Sequence, residues 1–279
     1  MKQDRIEKIG NSVIQHGHFN DRVYLLKFSF SDFPGIIDKI EIIAEREGYT
    51  KIFAKVPQNV LSSFIQSGYH IEAFIPKYFF DGNDAVFVSK FSDPRRRVIE
   101  KEKLDSMSQM MSCLSQIPEN TLPHGFSFRK LSISDKNIIV EVYTEVFETY
   151  PFPIHDPSYI EQTMGENLVY FGIFHKNRLV AISSSEADYA NHAIEMTDFA
   201  VRPEFRGRKF ALILLNKMEK SMVNEGFSTF YTIARLNSPA MNKTFLNSGY
   251  RYTGTLIKNT NISGSIESMN VLYKKSKLE

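Results

Sequence analysis

Residues 197–215 read TDFAVRPEFRGRKFALILL. An apolar, strand-like run ends at Val201-Arg-Pro203. A short basic loop, Arg206-Gly-Arg-Lys-Phe-Ala211, then feeds straight into a helix whose apolar positions 211, 214, 215, 218 and 222 share one face. The first turn of such a helix has backbone N–H groups without intrahelical partners, and the helix dipole adds partial positive charge there. Gly207 and Ala211 would let a diphosphate approach the main chain, and Arg206, Arg208 and Lys209 would surround it with positive charge. From the residues alone, an anion-binding turn and a solvent-exposed basic turn are both open.

Working outward, strand-like runs and helical patterns alternate. Before the loop, Phe126 to Leu131 reads as a strand, Ser134 as the N-cap of a helix through Glu148, and Tyr150-Pro-Phe-Pro-Ile154 as a segment that cannot continue that helix. Val169 to Phe174 and Leu179 to Ser184 read as a hairpin across His175-Lys-Asn-Arg178, and Ala193 to Val201 as the strand that delivers the loop. After the helix come a strand at Thr229 to Ala234, a helix near Pro239 to Leu246, and strands around Arg251 to Ile257 and Ser268 to Tyr273. The first ninety residues read β-α-β-α-β-β, with strands at Val23 to Phe28, Lys51 to Val56, Ile71 to Phe74 and Ala85 to Phe91, and a helix starting near Pro34. A charged stretch after Ser92 reads as a connecting helix and linker. The expected division is therefore 1–92, a connector over 93–122, and 123–279.

The two halves echo each other. Glu47-Gly48-Tyr49 matches Glu225-Gly226-Phe227, and Phe64-x-x-Ser67-Gly68-Tyr69 matches Phe245-x-x-Ser248-Gly249-Tyr250, at nearly constant offset. This spacing predicts a duplicated helix-strand-helix-strand unit. The first copy has Phe28-Ser-Phe-Ser-Asp-Phe33 where the second has its basic loop, with neither the arginine nor the glycine. It is expected to have lost anion binding and to shape the substrate site or a subunit contact, which leaves a homodimer open.

Charge balance names no polyanionic partner: 34 Lys and Arg face 32 Asp and Glu. The arginine run Arg95 to Arg97 is diluted by Glu100 and Glu102, which predicts a solvated helix face and no nucleic acid. No apolar run reaches the ~20 residues of a membrane-spanning helix, so no membrane partner is expected. The single cysteine, Cys113, and the charged N-terminal residues predict a reducing, cytoplasmic setting. His16-Gly-His18 has no further ligand at metal spacing and reads as a turn, so no metal is expected.

The order Val-x-Pro-x-Phe-Arg-Gly-Arg-x-Phe-Ala over 201–211 resembles the acyl-CoA signature of the GCN5-related N-acetyltransferase (GNAT) family. The resemblance implies an α/β (α+β) architecture: a C-terminal GNAT fold whose mixed, mostly antiparallel sheet is flanked by helices, and an N-terminal degenerate GNAT-like half-domain. It also implies acetyl-CoA as co-substrate, with Arg206, Gly207, Arg208, Lys209, Phe210 and Ala211 as the diphosphate loop and Phe199, Ala200 and Val201 as the pantetheine strand. Lys209 stands where the family has its second glycine. With Ile6 to His16, Asn20 to Leu25, Tyr150 to Ile154, Ala234-Arg235, Met241-Asn242 and Glu267 to Asn270 added, the chain is similar along nearly its whole length to the β-lysine N6-acetyltransferase family. That similarity implies acetyl transfer to the terminal amine of β-lysine, a small-molecule amine, giving N6-acetyl-β-lysine, a compatible solute in some organisms. The alternatives are another amine acceptor (lysine, a polyamine or a protein lysine) or an acyl-CoA sensor without catalysis.

An alkyl ammonium of pKa about 10.4 is neutral in only ~0.04% of molecules at pH 7, so freeing the nucleophile costs about 4.6 kcal/mol. A carboxylate acting through water can take the proton. Glu195 is the expected base and Asp198 an amine-binding or supporting group. Strict alternation would put them on opposite faces, but strands of this family usually bulge here. A main-chain N–H near Phe199 would hold the oxyanion. Many family members protonate the departing thiolate with a tyrosine at the position of Phe245, so water or another tyrosine, Tyr150 or Tyr252, must serve. Asn242 is a candidate for the CoA arm. Tyr150 and Phe152 are expected to wall the acceptor site, Asp156, Glu186 or Glu267 to meet a second amine, and Arg129 or Arg235 to meet a carboxylate. Cys113 reads as incidental rather than nucleophilic.

Overall fold

The computed structural model describes residues 3–99, 101–113 and 121–276. The first sheet contains β1 (Arg5–Ile9), β2 (Ser12–Gly17), β3 (Arg22–Lys27), β4 (Lys51–Pro57), β5 (His70–Ile75) and β6 (Ala85–Phe91), with α1 (Ile36–Glu47) and α2 (Leu61–Gln66). Helix α3 (Lys101–Ser112) follows. The second sheet begins with β7 (Phe126–Lys130), then α4 (Lys136–Val146), α5 (Pro157–Glu166), β8 (Leu168–His175), β9 (Arg178–Asp188) and β10 (Ala193–Val201). Helix α6 (Phe210–Asn224), β11 (Thr229–Arg235), α7 (Pro239–Asn247), β12 (Arg251–Ile262) and β13 (Ser265–Lys275) complete it.

The strand orders are β1-β2-β3-β4-β6-β5 and β12-β13-β11-β10-β9-β8-β7. Read from the other end, the second sheet runs β8-β9-β10-β11-β13-β12 after β7, the same order as the first, and in each sheet one parallel pair (β3 with β4, β10 with β11) sits amid antiparallel neighbours. The echoing motifs occupy equivalent places. Gly48, Gly68, Gly226 and Gly249 have φ of +72°, +85°, +92° and +87°, and the aromatic after each donates its N–H back to the preceding helix. Tyr49, Tyr69, Phe227 and Tyr250 are then buried in the cores.

Several readings are corrected. The hairpin β1-β2 was not read as strands, because its polar faces give a weak period-two signal. His16 lies in β2, with Nδ1 3.2 Å from the Tyr49 hydroxyl, and not in a turn. Helix α4 is preceded by a 3₁₀ turn capped by Ser132 with Asp135, not by Ser134. The connecting helix is α3, and its Met107 is buried in the second core. The arginine run is not uniformly solvated, since Arg96 is buried and donates to the Asn20 and Lys258 carbonyls at 2.7 and 3.0 Å.

The second sheet has two differently covered faces. Helices α6, α7 and α3 cover one, over Ile194, Met196, Phe230 and Leu272. On the other, α4 and α5 cover the β7–β9 side around Tyr170 and Ile182, while the first sheet covers the β11–β13 side, packing Phe53, Ala73 and Phe87 on Tyr231, Met269 and Val271. Arg22 and Lys51 cross this join to backbone carbonyls of Asn259 and Ile257. Between the two coverings, Glu186, Glu195 and Thr197 are left accessible on the sheet surface.

Candidate active site

The site exists because two parallel strands part. β10 and β11 pair only from Ala193 with Thr229 to Glu195 with Tyr231. Beyond Glu195, β10 bulges: Thr197 pairs with Ser184 of β9, Ala200 resumes with Ile182, and Asp198 takes φ +55°. The bulge breaks side-chain alternation, as expected for this strand, and the opened strands leave a cleft of about 570 Å³. Its walls include Thr197, Asp198, Phe199 and Val201 on β10 and Ile233 and Arg235 on β11. Ala200 turns its side chain into the core under the cleft, so only its main chain is available there.

At one end lies the basic loop. Arg206, Gly207, Lys209, Phe210 and Ala211 line the cleft. Gly207 has φ +79° and open space where a Cβ would stand. Lys209 takes the left-handed conformation, φ +60°, and no side chain caps the start of α6, so its first amides are left for an anion. That backbone angle explains why a glycine suits this position. The Lys209 side chain is exposed and does not plug the cleft. Arg208 is the exception to the expected set: it stacks its guanidinium on Phe205 and Phe126, 5.7 and 6.0 Å from the ring centres, and does not line the cleft. The corresponding turn of the first copy carries Asp32, whose carboxylate accepts from Asn11 and Ser12 amides. An acidic group there opposes anion binding.

At the other end is a group of carboxyls. Glu195 stands directly opposite Glu186 on the neighbouring strand. Burial pushes Glu195 up to about 8, with Glu186 adding to the rise and Lys55 opposing it. Burial also raises Glu186, against the pull of Lys55, although its side chain is open to solvent: it stands in a deep recess that water reaches. Asp198 is raised by burial and partly restored by hydroxyl donors, Ser184 on Oδ2 and Tyr150 on Oδ1. Burial and Asp198 hold the Tyr150 phenol well above its ordinary range, so it donates a hydrogen bond and keeps its proton.

Other expected residues are engaged elsewhere. Asn242 is fully buried, donating to the Arg235 and Ser238 carbonyls, both at 2.9 Å, and accepting from Asn270 at 2.9 Å. It ties α7 to the sheet and has nothing left for a CoA arm. Both carboxylate oxygens of Glu267 are held by Arg235, at 2.6 and 3.0 Å, so Glu267 is not free for an amine. Phe152 stacks near Tyr159 in the α4–α5 core and does not line the cleft, whereas Tyr150 does. Arg129 is clamped to Asp135, at 2.7 Å on each oxygen, and Asp156 caps α5 by accepting from Ser158. The Tyr252 hydroxyl meets Thr255, and Phe245 packs edge-on against Phe199.

Residues missed by sequence reasoning come mainly from the first half. Lys55, Tyr24 and Tyr78 border the carboxyl group, together with Tyr231 of β11. The only available signal was a lysine inside an otherwise apolar strand, Ile52 to Val56. Among the described residues no cluster of three metal-ligand side chains occurs, and no helix is long and apolar enough to cross a membrane.

The acetyltransferase (GNAT) family model matches residues 137–249, which include the cleft strands, the basic loop and α7. A β-lysine N(6)-acetyltransferase of Methanococcus maripaludis is 38% identical over 98% of this chain and 99% of its own. The N-acetyltransferase YodP of Bacillus subtilis is 30% identical over 94% and 95%, and a β-lysine N(6)-acetyltransferase of Methanosarcina mazei 28% identical over 86% and 96%. With full-length similarity of this kind and a splayed parallel strand pair leading to an uncapped basic helix start, the chain belongs to the β-lysine N6-acetyltransferase family of GNAT enzymes and is an acetyl-CoA-dependent N-acetyltransferase.

Proposed function

We propose that the acceptor is the terminal amine of β-lysine and the product N6-acetyl-β-lysine. The observation that carries this reading is the polarity along β10: uncapped amides and basic residues at the α6 end of the cleft, Asp198 on its wall, and Glu195 with the facing Glu186 further back on the accessible sheet surface. The first end suits the diphosphate of acetyl-CoA and the second a substrate bearing more than one ammonium. The relatives named for β-lysine support the choice.

In this mechanism the pantetheine arm lies along Phe199–Val201, whose edge lacks a β11 partner. Glu195 takes the ammonium proton through water. The amine then attacks the thioester carbonyl directly, a main-chain N–H near Phe199 holds the oxyanion, and as collapse expels the CoA thiolate the nitrogen releases its remaining excess proton to water, leaving the neutral amide. Phe245 has no proton to give, and Tyr150 is too weak an acid. The protonated Glu195, with a pKa of about 8 close to the ~8.5 of a thiol, returns the proton through water. The lone Cys113 lies outside the cleft and fits a reducing, cytoplasmic setting.

The test is acetyl-CoA turnover against β-lysine, L-lysine and spermidine, with acetyl-CoA binding measured in parallel. Highest kcat/KM on β-lysine is expected. Preference for another amine would replace the acceptor, and CoA binding without turnover would make the chain a sensor.

A further inference from the structure

We propose that Lys55, supplied by the first half, binds the carboxylate of the acceptor and selects a diamino acid over a simple diamine. This deepens the acceptor assignment above and rests on it.

Two lysines on β4 show the contrast. The Lys51 ammonium is fully buried at the join and satisfied by Glu72 at 2.9 Å and the Ile257 carbonyl at 2.7 Å. Lys55, two pleat repeats further on and on the same face, has no carboxylate within ion-pair distance among the described residues. Its Nζ donates only to the phenol oxygens of Tyr78 at 3.0 Å and Tyr231 at 3.4 Å, and lies 4.6 and 5.4 Å from the centres of the same two rings. Tyr78 in turn donates to Asp188 at 2.9 Å, which leaves its oxygen to accept from Lys55. The lysine is therefore held in place by neutral groups. Burial opposes its charge, but the Tyr78 and Tyr24 oxygens and Glu186 outweigh burial and keep it an ammonium, while no anion touches it directly among the described residues.

Its surroundings show which anion. Lys55 and Tyr24 are only partly buried and Glu186 is open, so solvent reaches the group through the recess bordered by Glu195. Lys55 acts electrostatically on both Glu186 and Glu195. The recess thus presents carboxyls and a single ammonium together. That pattern complements a molecule carrying two amines and one carboxylate: one amine enters the cleft toward Phe199, the second faces Glu186, and the carboxylate meets Lys55. A polyamine would leave Lys55 facing added positive charge, a repulsive element that rejects it.

The experiment compares β-lysine with 1,4-diaminopentane, which is β-lysine with its carboxylate replaced by hydrogen, in the full chain and in Lys55→Met. Acetyl-CoA titration of each variant reports that the chain has folded. The expected result is a loss of about 100-fold in kcat/KM for β-lysine, the scale for removing one partner of an enclosed charge pair. The preference for β-lysine over the diamine should fall at least 30-fold, chiefly through KM. Equal losses on both acceptors would assign Lys55 to tuning Glu195 or to structure, and would overturn the proposal. Should Lys55→Met not bind acetyl-CoA, Lys55→Gln and Lys55→Arg decide on the same ratio, with Arg restoring preference and Gln not. A full chain that turns over neither compound would instead overturn the β-lysine assignment itself.

Discussion

Glu195 combines burial with a neighbouring carboxyl, and both effects favour its protonated form until about pH 8. As the proposed base it must be ionised, so kcat/KM for the acceptor is predicted to rise with an inflection near pH 8. Glu195→Gln should lower kcat about 100-fold and remove that inflection, leaving the limb of the amine itself; a pH-rate profile of both proteins checks this. The same group weighs on stability. Its folded pKa exceeds the ordinary carboxyl value, so its contribution is fully present below pH 4.5 and is lost as pH rises through 8. Glu195→Gln should therefore be the more stable protein at pH 8, by up to roughly 4 kcal/mol, and nearly unchanged at pH 4.5, read as Tm at the two pH values. At the other end, Lys209 has φ +60° and is exposed. Lys209→Gly relieves the backbone but removes a charge beside the diphosphate; Tm is predicted to rise about 2 °C and KM for acetyl-CoA about fivefold.

Elements position these residues through their ends and edges. Helix α6 starts uncapped, which keeps its amides for a ligand, and stops at Gly226, which sends Phe227 into the core. Helix α7 borders the cleft, but its one buried amide, Asn242, bonds two carbonyls and Asn270 rather than a ligand. Asn242→Ala is predicted to cost about 3 kcal/mol of stability while changing KM for acetyl-CoA less than twofold, checked by denaturant unfolding and steady-state kinetics. A residue contacting CoA would show the opposite pattern. The approach of β12 to β5 depends on Gly254, where a Cβ would fall 2.0 Å from the Glu72 carbonyl oxygen.

In the whole molecule, the two copies of one strand order meet face to face, and the join brings Lys55 and Tyr78 of the first sheet against Tyr231 of the second. Glu72 is central to it: one oxygen accepts from Lys51 and the Ser89 hydroxyl, and the other from the Ile257 amide at 2.8 Å across the join. Glu72→Ala leaves Lys51 buried without its anion. A fall in Tm of about 10 °C is predicted, with both halves still unfolding in a single calorimetric transition. Two separate transitions would show that the halves are independent and that the recess is no rigid part of the fold.

Much of this was legible before the tertiary structure because it is local. Helix stops at Gly-aromatic pairs, strand positions, the duplicated order and the basic turn each follow from residues within a few positions of one another. The occupation of Asn242 and Glu267 is not local, since each depends on which partner stands across a strand or helix. Lys55 and Tyr231 meet though 176 positions apart. The sequence by itself determined the GNAT elements and the basic turn that starts α6. Only the packing of one sheet on the other decided which charges share the recess, because desolvation and pairing arise from groups brought together by the fold and not from neighbours in the chain.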